Sequence, residues 1–222
     1  MAHLIQPLLQ PCPLQDAWQE LIRAHHALVA AARQAATTMA AVEADDWGVA
    51  AKRVRVTWAL TPSGLLSETG DQPLTEVINQ CATVERLLDA MAWVLSRAPA
   101  AELLLCHPTT SSRPKESADN DLVVEAAGER WCFEVSDVAS GDADGNQKEL
   151  KDLGSLGLIA REGDRWRLAD PYPPGRHFLV VSPEFGARLC RPTRHLLKTG
   201  QLRYSRLNAP GQSVLLEVHR NP

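Results

Sequence analysis

Two acidic residues in neighbouring β-patterned segments are the clearest candidates for catalytic chemistry in this chain. Asp121 opens the run 121–125, and Glu134 lies within the run 131–135. A turn near Gly128 would pair the two runs as a hairpin and bring both carboxylates to one end of a sheet. Hard oxygen ligands of this kind suit Mg²⁺ or Mn²⁺ rather than zinc. Since a divalent ion activates water and neutralises charge on a phosphate, the pattern predicts a metal site formed by Asp121 and Glu134.

The stretch around these acids resembles the PD-(D/E)XK nuclease superfamily over roughly residues 75 to 185. Asp121 matches the first acid of the motif, and Glu134, within Phe133-Glu134-Val135-Ser136, matches the second. The resemblance implies a restriction-endonuclease-like core made of a helix, a hairpin-rich sheet and a further helix. It also implies metal-dependent hydrolysis of nucleic-acid phosphodiesters. Superfamily members commonly carry an additional Glu on the helix before the sheet, and Glu85 is the matching position.

The chain departs from the superfamily motif at its lysine. Ser136 stands two residues after Glu134, where the motif has Lys, and a serine supplies no positive charge to orient the nucleophile. Lys148 and Lys151 lie on the next predicted helix, three residues apart and therefore on one face. Because some superfamily members carry the lysine on such a helix, either residue is a candidate replacement. If neither serves, the resemblance implies a binding or scaffolding derivative with an inactive site.

A cationic segment near the end of the chain is the candidate nucleic-acid interface. Its six basic residues, with no acid between them, are Arg188, Arg191, Arg194, Lys198, Arg203 and Arg206. Such a cluster can bind a phosphate backbone with release of counterions. The formal net charge of the chain is -4, so contact with nucleic acid, with DNA as the expected partner, has to come from a local patch. A solvated helix face remains an equally open interpretation of these residues.

The elements that must position these residues alternate between helical and β-patterned segments. Helices are predicted at 15–44, 75–97, 147–156 and 184–197, and strands at 54–60, 101–106, 121–125, 131–135, 165–168, 177–182 and 213–219. Turn residues at 61–64 and 69–71 suggest a linker. We therefore expect an α/β (α+β) fold, with a mixed central sheet flanked by helices. An N-terminal helical segment with a strand and a linker would cover 1–70, and the nuclease-like domain 71–222.

Composition narrows the cellular setting of the chain. The 222 residues are 45% hydrophobic, which is ordinary for a globular protein. The five cysteines show no CxxC pairing and fit reduced, buried thiols. No basic region followed by an apolar run opens the chain, and no apolar stretch has the 18 residues of a membrane span. These features predict a cytoplasmic protein without membrane contact.

Three other interpretations stay open on the sequence alone. Asp121 and Glu134 could be strand-edge and turn acids that local hydrogen bonds hold in place. The segment Leu150–Leu168 is similar to the end of a winged helix, which would favour a DNA-binding regulator, although the residues upstream are β-patterned. The third is a non-catalytic protein-interaction module, in which the Ala-rich N-terminal helix binds a protein partner or a second copy of the chain.

Overall fold

The computed structural model describes residues 11–40, 53–59, 67–106, 120–136, 148–182, 189–206 and 213–219. Within these ranges the elements follow in the order β1 (Cys12–Pro13), α1 (Leu14–Ala40), β2 (Arg53–Ala59), β3 (Ser67–Pro73), α2 (Leu74–Leu95), β4 (Glu102–Cys106), β5 (Leu122–Ala126), β6 (Glu129–Val135), α3 (Lys148–Ser155), β7 (Ile159–Glu162), β8 (Arg165–Leu168), β9 (Arg176–Val181), α4 (Arg191–Lys198), β10 (Leu202–Arg206) and β11 (Val214–Val218). The expected mixed α+β class is confirmed. Among the described helices, none has both the length and the apolar character needed to cross a lipid bilayer.

A seven-stranded mixed sheet organises the chain, with the strand order β1-β4-β5-β6-β9-β11-β10. Its neighbouring strands are antiparallel except for β6 and β9, which are parallel. Parallel strands cannot be joined by a tight turn and need a long crossover connection. Here that connection contains α3 and the small two-stranded hairpin β7–β8.

The two faces of the sheet carry separate hydrophobic clusters. Phe133 of β6 and Phe178 of β9 stack at 4.6 Å between ring centroids, and Trp93 of α2 meets Phe178 edge-on at 5.3 Å. This face is covered by α1 and α2. On the opposite face, Leu179 packs in a cluster with Leu150 of α3 and with side chains of α4. Adjacent residues on one strand, such as Phe178 and Leu179, therefore pack on opposite faces of the sheet.

Helix α1 is part of the same core as the sheet. Its buried residues Leu14, Ala17, Leu21 and Leu28 recur at helical spacing and form the apolar stripe that contacts α2 and the sheet. Trp18 Nε1 also donates a hydrogen bond of 3.3 Å to the carbonyl oxygen of Leu88 on α2. The division expected between residues 70 and 71 stays a prediction, and it falls within β3.

Several element predictions need correction. The residues 69–71 expected in a turn lie in β3, which pairs with β2 along its whole length. The strands β1, β7 and β10 were not predicted. The last predicted helix, 184–197, is described only from residue 189 onwards, because residues 184–188 lie outside the described ranges. Leu189 and Cys190 are not helical, so α4 begins at Arg191, with Pro192 in the first turn, where proline is favoured. Cys190 precedes the helix with an extended backbone, at φ -61° and ψ 160°.

The hairpin β5–β6 confirms the prediction of two paired runs with a turn near Gly128. Its turn contains one unfavourable residue. Ala127 and Gly128 connect the strands with φ values of 52° and 76°. Two-residue turns of this kind need positive φ at both central positions, and they favour Asn-Gly. An L-residue with a Cβ is destabilised in the left-handed region by roughly 1–2 kcal/mol. Ala127 therefore weakens the turn that sets the register of the candidate acids.

The substitution Ala127→Asn should stabilise the protein by about 0.5–1 kcal/mol, because Asn tolerates the left-handed region better than Ala. Urea unfolding followed by circular dichroism measures the change. Gly128→Ala is the matched variant, and it should destabilise the protein because its φ of 76° disfavours a side chain. Equal or lower stability of the Ala127→Asn protein would contradict this account of the turn.

Candidate active site

The structure brings Asp121 and Glu134 to adjacent positions at one end of the hairpin. Leu122 of β5 pairs with Phe133 of β6, so extending the register by one residue places Asp121 opposite Glu134. Both residues are buried, with exposures of 1% and 6%. Asp121 Oδ2 accepts a hydrogen bond of 2.7 Å from the backbone N–H of Val135. This bond crosses the hairpin end and fixes the first acid beside the strand that carries the second.

Strand alternation assigns Glu134 to the sheet face covered by α3 and α4. Glu134 lies beside Leu179 in the parallel register of β6 and β9, and Leu179 belongs to the cluster on that face. Ser136 is two residues after Glu134, so the same alternation assigns it to the same sheet face. Helix α3 packs on this face through Leu150 and Leu153. The crossover therefore places a helix directly over the face that holds Glu134 and Ser136.

Ser136 occupies the lysine position of the motif and is itself buried. Its exposure is 1%, and its backbone N–H donates a hydrogen bond of 2.9 Å to the carbonyl oxygen of Val180. Its side-chain Oγ is buried without a hydrogen-bond partner among the described residues. A buried hydroxyl in this state is unfavourable for folding. The Ser136 side chain therefore does not stabilise the fold through a hydrogen bond among the described residues, and folding stability does not explain a serine at this position.

Helix α3 places the two candidate lysines differently. Lys151 is exposed, whereas Leu150 and Asp152 on either side of it are buried, so its side chain is on the outer surface of the helix. Lys148 is the first residue of α3, and the structure describes only its backbone. It precedes the buried Asp152 by one helical turn. Of the two positions, Lys148 is therefore the one on the flank of the buried side of α3.

Glu85 lies apart from the two central acids. Its carboxylate is 3.4 Å from Nε2 of His25 on α1, and its side chain is exposed. Helices α1 and α2 cover the sheet face that carries Phe133, which is opposite to the face of Glu134. In the described part of the chain, the structure does not bring Glu85 together with Glu134.

The surroundings of Asp121 include a buried thiol. Burial raises the pKa of Cys106 above its ordinary value, and the nearby Asp121 and Cys12 raise it further. Cys106 is paired with Leu122 across β4 and β5, which places it next to Asp121 in the sheet. A raised pKa favours the protonated thiol, which is the weakly nucleophilic form of cysteine.

A buried acid that the sequence did not reveal links α3 to α4. Glu149 is fully buried, and its Oε1 accepts hydrogen bonds from the Cys190 N–H at 2.8 Å and from Thr193 Oγ1 at 3.1 Å. Glu149 on α3 therefore caps the N-terminus of α4. The positive end of the α4 dipole favours an acidic side chain at this position. Burial raises the pKa of Cys190 to about 11, and its hydrogen bond with Glu149 contributes in the same direction. Nothing in the local sequence marks a contact between residues so far apart along the chain.

The predicted cationic cluster is divided by the fold. Arg191, Arg194 and Lys198 are exposed on α4, where Thr193 and Leu196 form the buried side. Arg203 of β10 is in the register row of Glu217 and Phe178, on the sheet face opposite to α4. Arg188 lies outside the described residues. Arg206 ends β10, and its backbone alone is described.

Asp121 and Glu134 are the two candidate ligands for the expected Mg²⁺ or Mn²⁺ ion. Across the described ranges, no group of three or more His, Cys, Asp or Glu residues is arranged to hold a metal. Two protein carboxylates still fit Mg²⁺, which is usually bound by one or two acids and completes its shell with water and substrate phosphate.

Comparisons of the chain with protein-family models, with curated proteins and with solved structures found no match.

A buried histidine, His177, lies on the same sheet face as Glu134 and is a candidate for making folding stability depend on pH. His177 of β9 is opposite Cys132 in the register and is 5% exposed. Its Nε2 is 3.1 Å from the carbonyl oxygen of Pro174, while Nδ1 is buried with no hydrogen-bond partner among the described residues. Burial lowers the pKa of His177 below the ordinary value of 6.5, although the carbonyl groups of Pro173 and Pro174 oppose the shift. Burial likewise lowers the pKa of His25.

Folding stability should therefore decrease as the pH falls below about 6.5. In that range the unfolded chain binds protons that the folded His177 and His25 do not, so the free energy of unfolding rises with pH. Urea titrations between pH 7.5 and pH 5, within the range where His titrates, measure the slope. His177→Gln should reduce the slope, whereas His195→Gln, at an exposed position of α4, should leave it unchanged. An identical slope in His177→Gln and the wild type would contradict the assignment.

Proposed function

We propose that this chain is a nuclease-like protein of the cytoplasm that hydrolyses phosphodiester bonds of DNA with Mg²⁺ or Mn²⁺. The observation that carries the proposal is the buried, register-aligned pair of Asp121 and Glu134. One oxygen of Asp121 is held by the Val135 N–H at 2.7 Å, which preorganises the carboxylate before any ion binds.

The order of the elements supports a restriction-endonuclease-like core. Helix α2 is followed by the antiparallel strands β4, β5 and β6, and then by helix α3. This is the order of a helix, a hairpin-rich sheet and a further helix that the resemblance implies. Asp121 directly precedes β5 and Glu134 is on β6, and these positions are compatible with the order that the resemblance implies.

The residues of the site have separable roles in this proposal. Asp121 and Glu134 would hold the divalent ion, and the bound ion would activate a water molecule and neutralise negative charge on the phosphate. A positive side chain is needed to orient the attacking water, and Ser136 cannot provide it. Lys148 is the better candidate, because it is on the flank of the buried side of α3 while Lys151 is exposed.

One observation favours a DNA-binding regulator as the second candidate function. The hairpin β7–β8 follows α3 directly, as a wing would follow a recognition helix. The described residues before α3, however, form the strands β5 and β6 rather than the two further helices of a winged helix. The hairpin is thus an insertion in a sheet crossover, and the nuclease-like proposal explains more of the fold.

Cleavage of DNA should require both a divalent ion and the two acids. Asp121→Ala and Glu134→Ala should each lower the rate at least about 100-fold, because loss of a ligand removes charge stabilisation from the phosphate. Gel assays of duplex and single-stranded DNA and RNA, with Mg²⁺, Mn²⁺ or EDTA, measure the rate. Glu125→Ala removes an exposed acid from the same hairpin and should change the rate less than about twofold. No cleavage of any substrate by the wild type would reject the catalytic proposal.

The two lysines should differ in their contribution to the rate. Lys148→Ala should lower kcat about 10- to 100-fold, whereas Lys151→Ala should have less than a twofold effect, because the Lys151 side chain is exposed. Single-turnover assays at saturating Mg²⁺ separate this effect from metal binding. In the Lys148→Ala background, Ser136→Lys should recover part of the rate, with circular dichroism confirming that the variant is folded. Equal rates for the two alanine variants would contradict the assignment of Lys148.

A further inference from the structure

We infer that the hairpin β7–β8 and helix α4 form one cationic surface that binds duplex DNA on the sheet face of Glu134. The inference rests on the proposed function in one respect, since the DNA would be the substrate of that site. It identifies the partner and the surface that binds it. The hairpin here means residues Ile159–Glu162 and Arg165–Leu168 with the turn between them.

The hairpin has an inner apolar side and an outer cationic side. Ile159 is buried and pairs with Leu168, and Trp166 packs against the same cluster beneath the hairpin. Arg165 and Arg167 alternate with these residues along β8 and are exposed. Period-two alternation therefore directs two guanidinium groups of one strand away from the core.

The hairpin is anchored to α3 and is not a free loop. The ring of Trp166 lies 3.8 Å from the position that a Cβ of Gly154 would occupy, so β8 and α3 pack closely. The Leu158 N–H donates to the carbonyl oxygen of Leu153, and the Ala169 N–H donates to that of Leu158, both at 3.0 Å. A fixed ribbon loses little conformational entropy when it binds a partner, which favours recognition.

Helix α4 extends the same charged surface. It contacts β8, and its three cations, Arg191, Arg194 and Lys198, are exposed at spacings of three and four residues. Together the hairpin and α4 contain six Arg or Lys residues and two acids, a formal charge of +4 in a chain whose net charge is -4. One of the two acids, Glu162, is 3.2 Å from Nε of Arg167. Positive charge is therefore concentrated locally in a chain that is acidic as a whole.

Duplex DNA fits this surface better than a single strand does. A two-stranded β-ribbon matches the width of the major groove, and exposed guanidinium groups bind the flanking phosphates. Single strands are held mainly by bases stacked on exposed aromatic rings. In the described hairpin and α4, the one Phe, Tyr or Trp residue, Trp166, packs inward. The surface thus offers charge and shape without a stacking platform.

Fluorescence anisotropy of a labelled duplex in EDTA, over a series of salt concentrations, tests the inference without cleavage. Arg165→Gln/Arg167→Gln should weaken binding about 10-fold and reduce the salt slope by about 2, because two phosphate contacts are lost. Arg23→Gln/Arg33→Gln is the matched control, since it removes two exposed cations from α1 on the other side of the sheet. This control should change affinity less than about twofold.

The outcomes separate this inference from the proposed function. Three results would each overturn the inference. The first is an equal loss of duplex affinity in the hairpin variant and the control, and the second is undetectable binding of the duplex by the wild type. The third is tighter binding of a single strand than of the duplex. Hairpin-dependent binding without any metal-dependent cleavage would support the DNA surface and reject the nuclease. Metal-dependent cleavage, together with duplex affinity that is unchanged when the hairpin arginines are replaced, would support the nuclease proposal and reject the DNA-binding surface.

Discussion

The parallel pairing of β6 with β9 is the constraint on which the rest of the structure depends. It joins the two halves of the sheet, and it is reinforced by the stacked rings of Phe133 and Phe178 at 4.6 Å. At the edge of the same cluster, the Arg176 guanidinium lies 4.4 Å above the Trp131 ring and donates to Glu217. Because parallel strands need a crossover, the chain must leave β6, cover the sheet and return. Helix α3 and the hairpin β7–β8 occupy that connection.

Strand β6 consequently serves the core and the candidate site at the same time. Phe133 and Val135 are directed to the face of α1 and α2, while Glu134 and Ser136 alternate to the face of α3. The backbone of Val135 also holds Asp121 in place. A shift of one residue in the register would exchange the two faces and place Glu134 in the aromatic cluster, which would be strongly unfavourable. The packing of the phenylalanine rings therefore fixes where the candidate metal ligands lie.

Local patterns predicted the parts of the fold that depend on local interactions. The β5–β6 hairpin followed from two β-patterned runs on either side of Gly128, and the β8 strand from the short run 165–168. Pairings between distant segments are not indicated by any local sequence pattern. Neither the β6–β9 register nor the contact of Glu149 with Cys190 could therefore be predicted. In the candidate site, the same hairpin prediction put Asp121 and Glu134 at one end of the sheet, where the structure has them. Which of the two lysine positions flanks the buried side of α3 depends on the side of the helix that packs on the sheet, and the sequence does not contain that information by itself.

The electrostatics of the site give a reason why the acids and the cationic surface occur together. Asp121 and Glu134 occupy aligned, buried positions, where two carboxylate charges would destabilise each other and burial would increase that cost. The Val135 N–H offsets part of it at one oxygen of Asp121. A bound divalent ion would offset more, and it would do so most effectively when a phosphate completes its shell. A cationic hairpin and helix on the same face would hold that phosphate near the acids, so each feature makes the other more favourable.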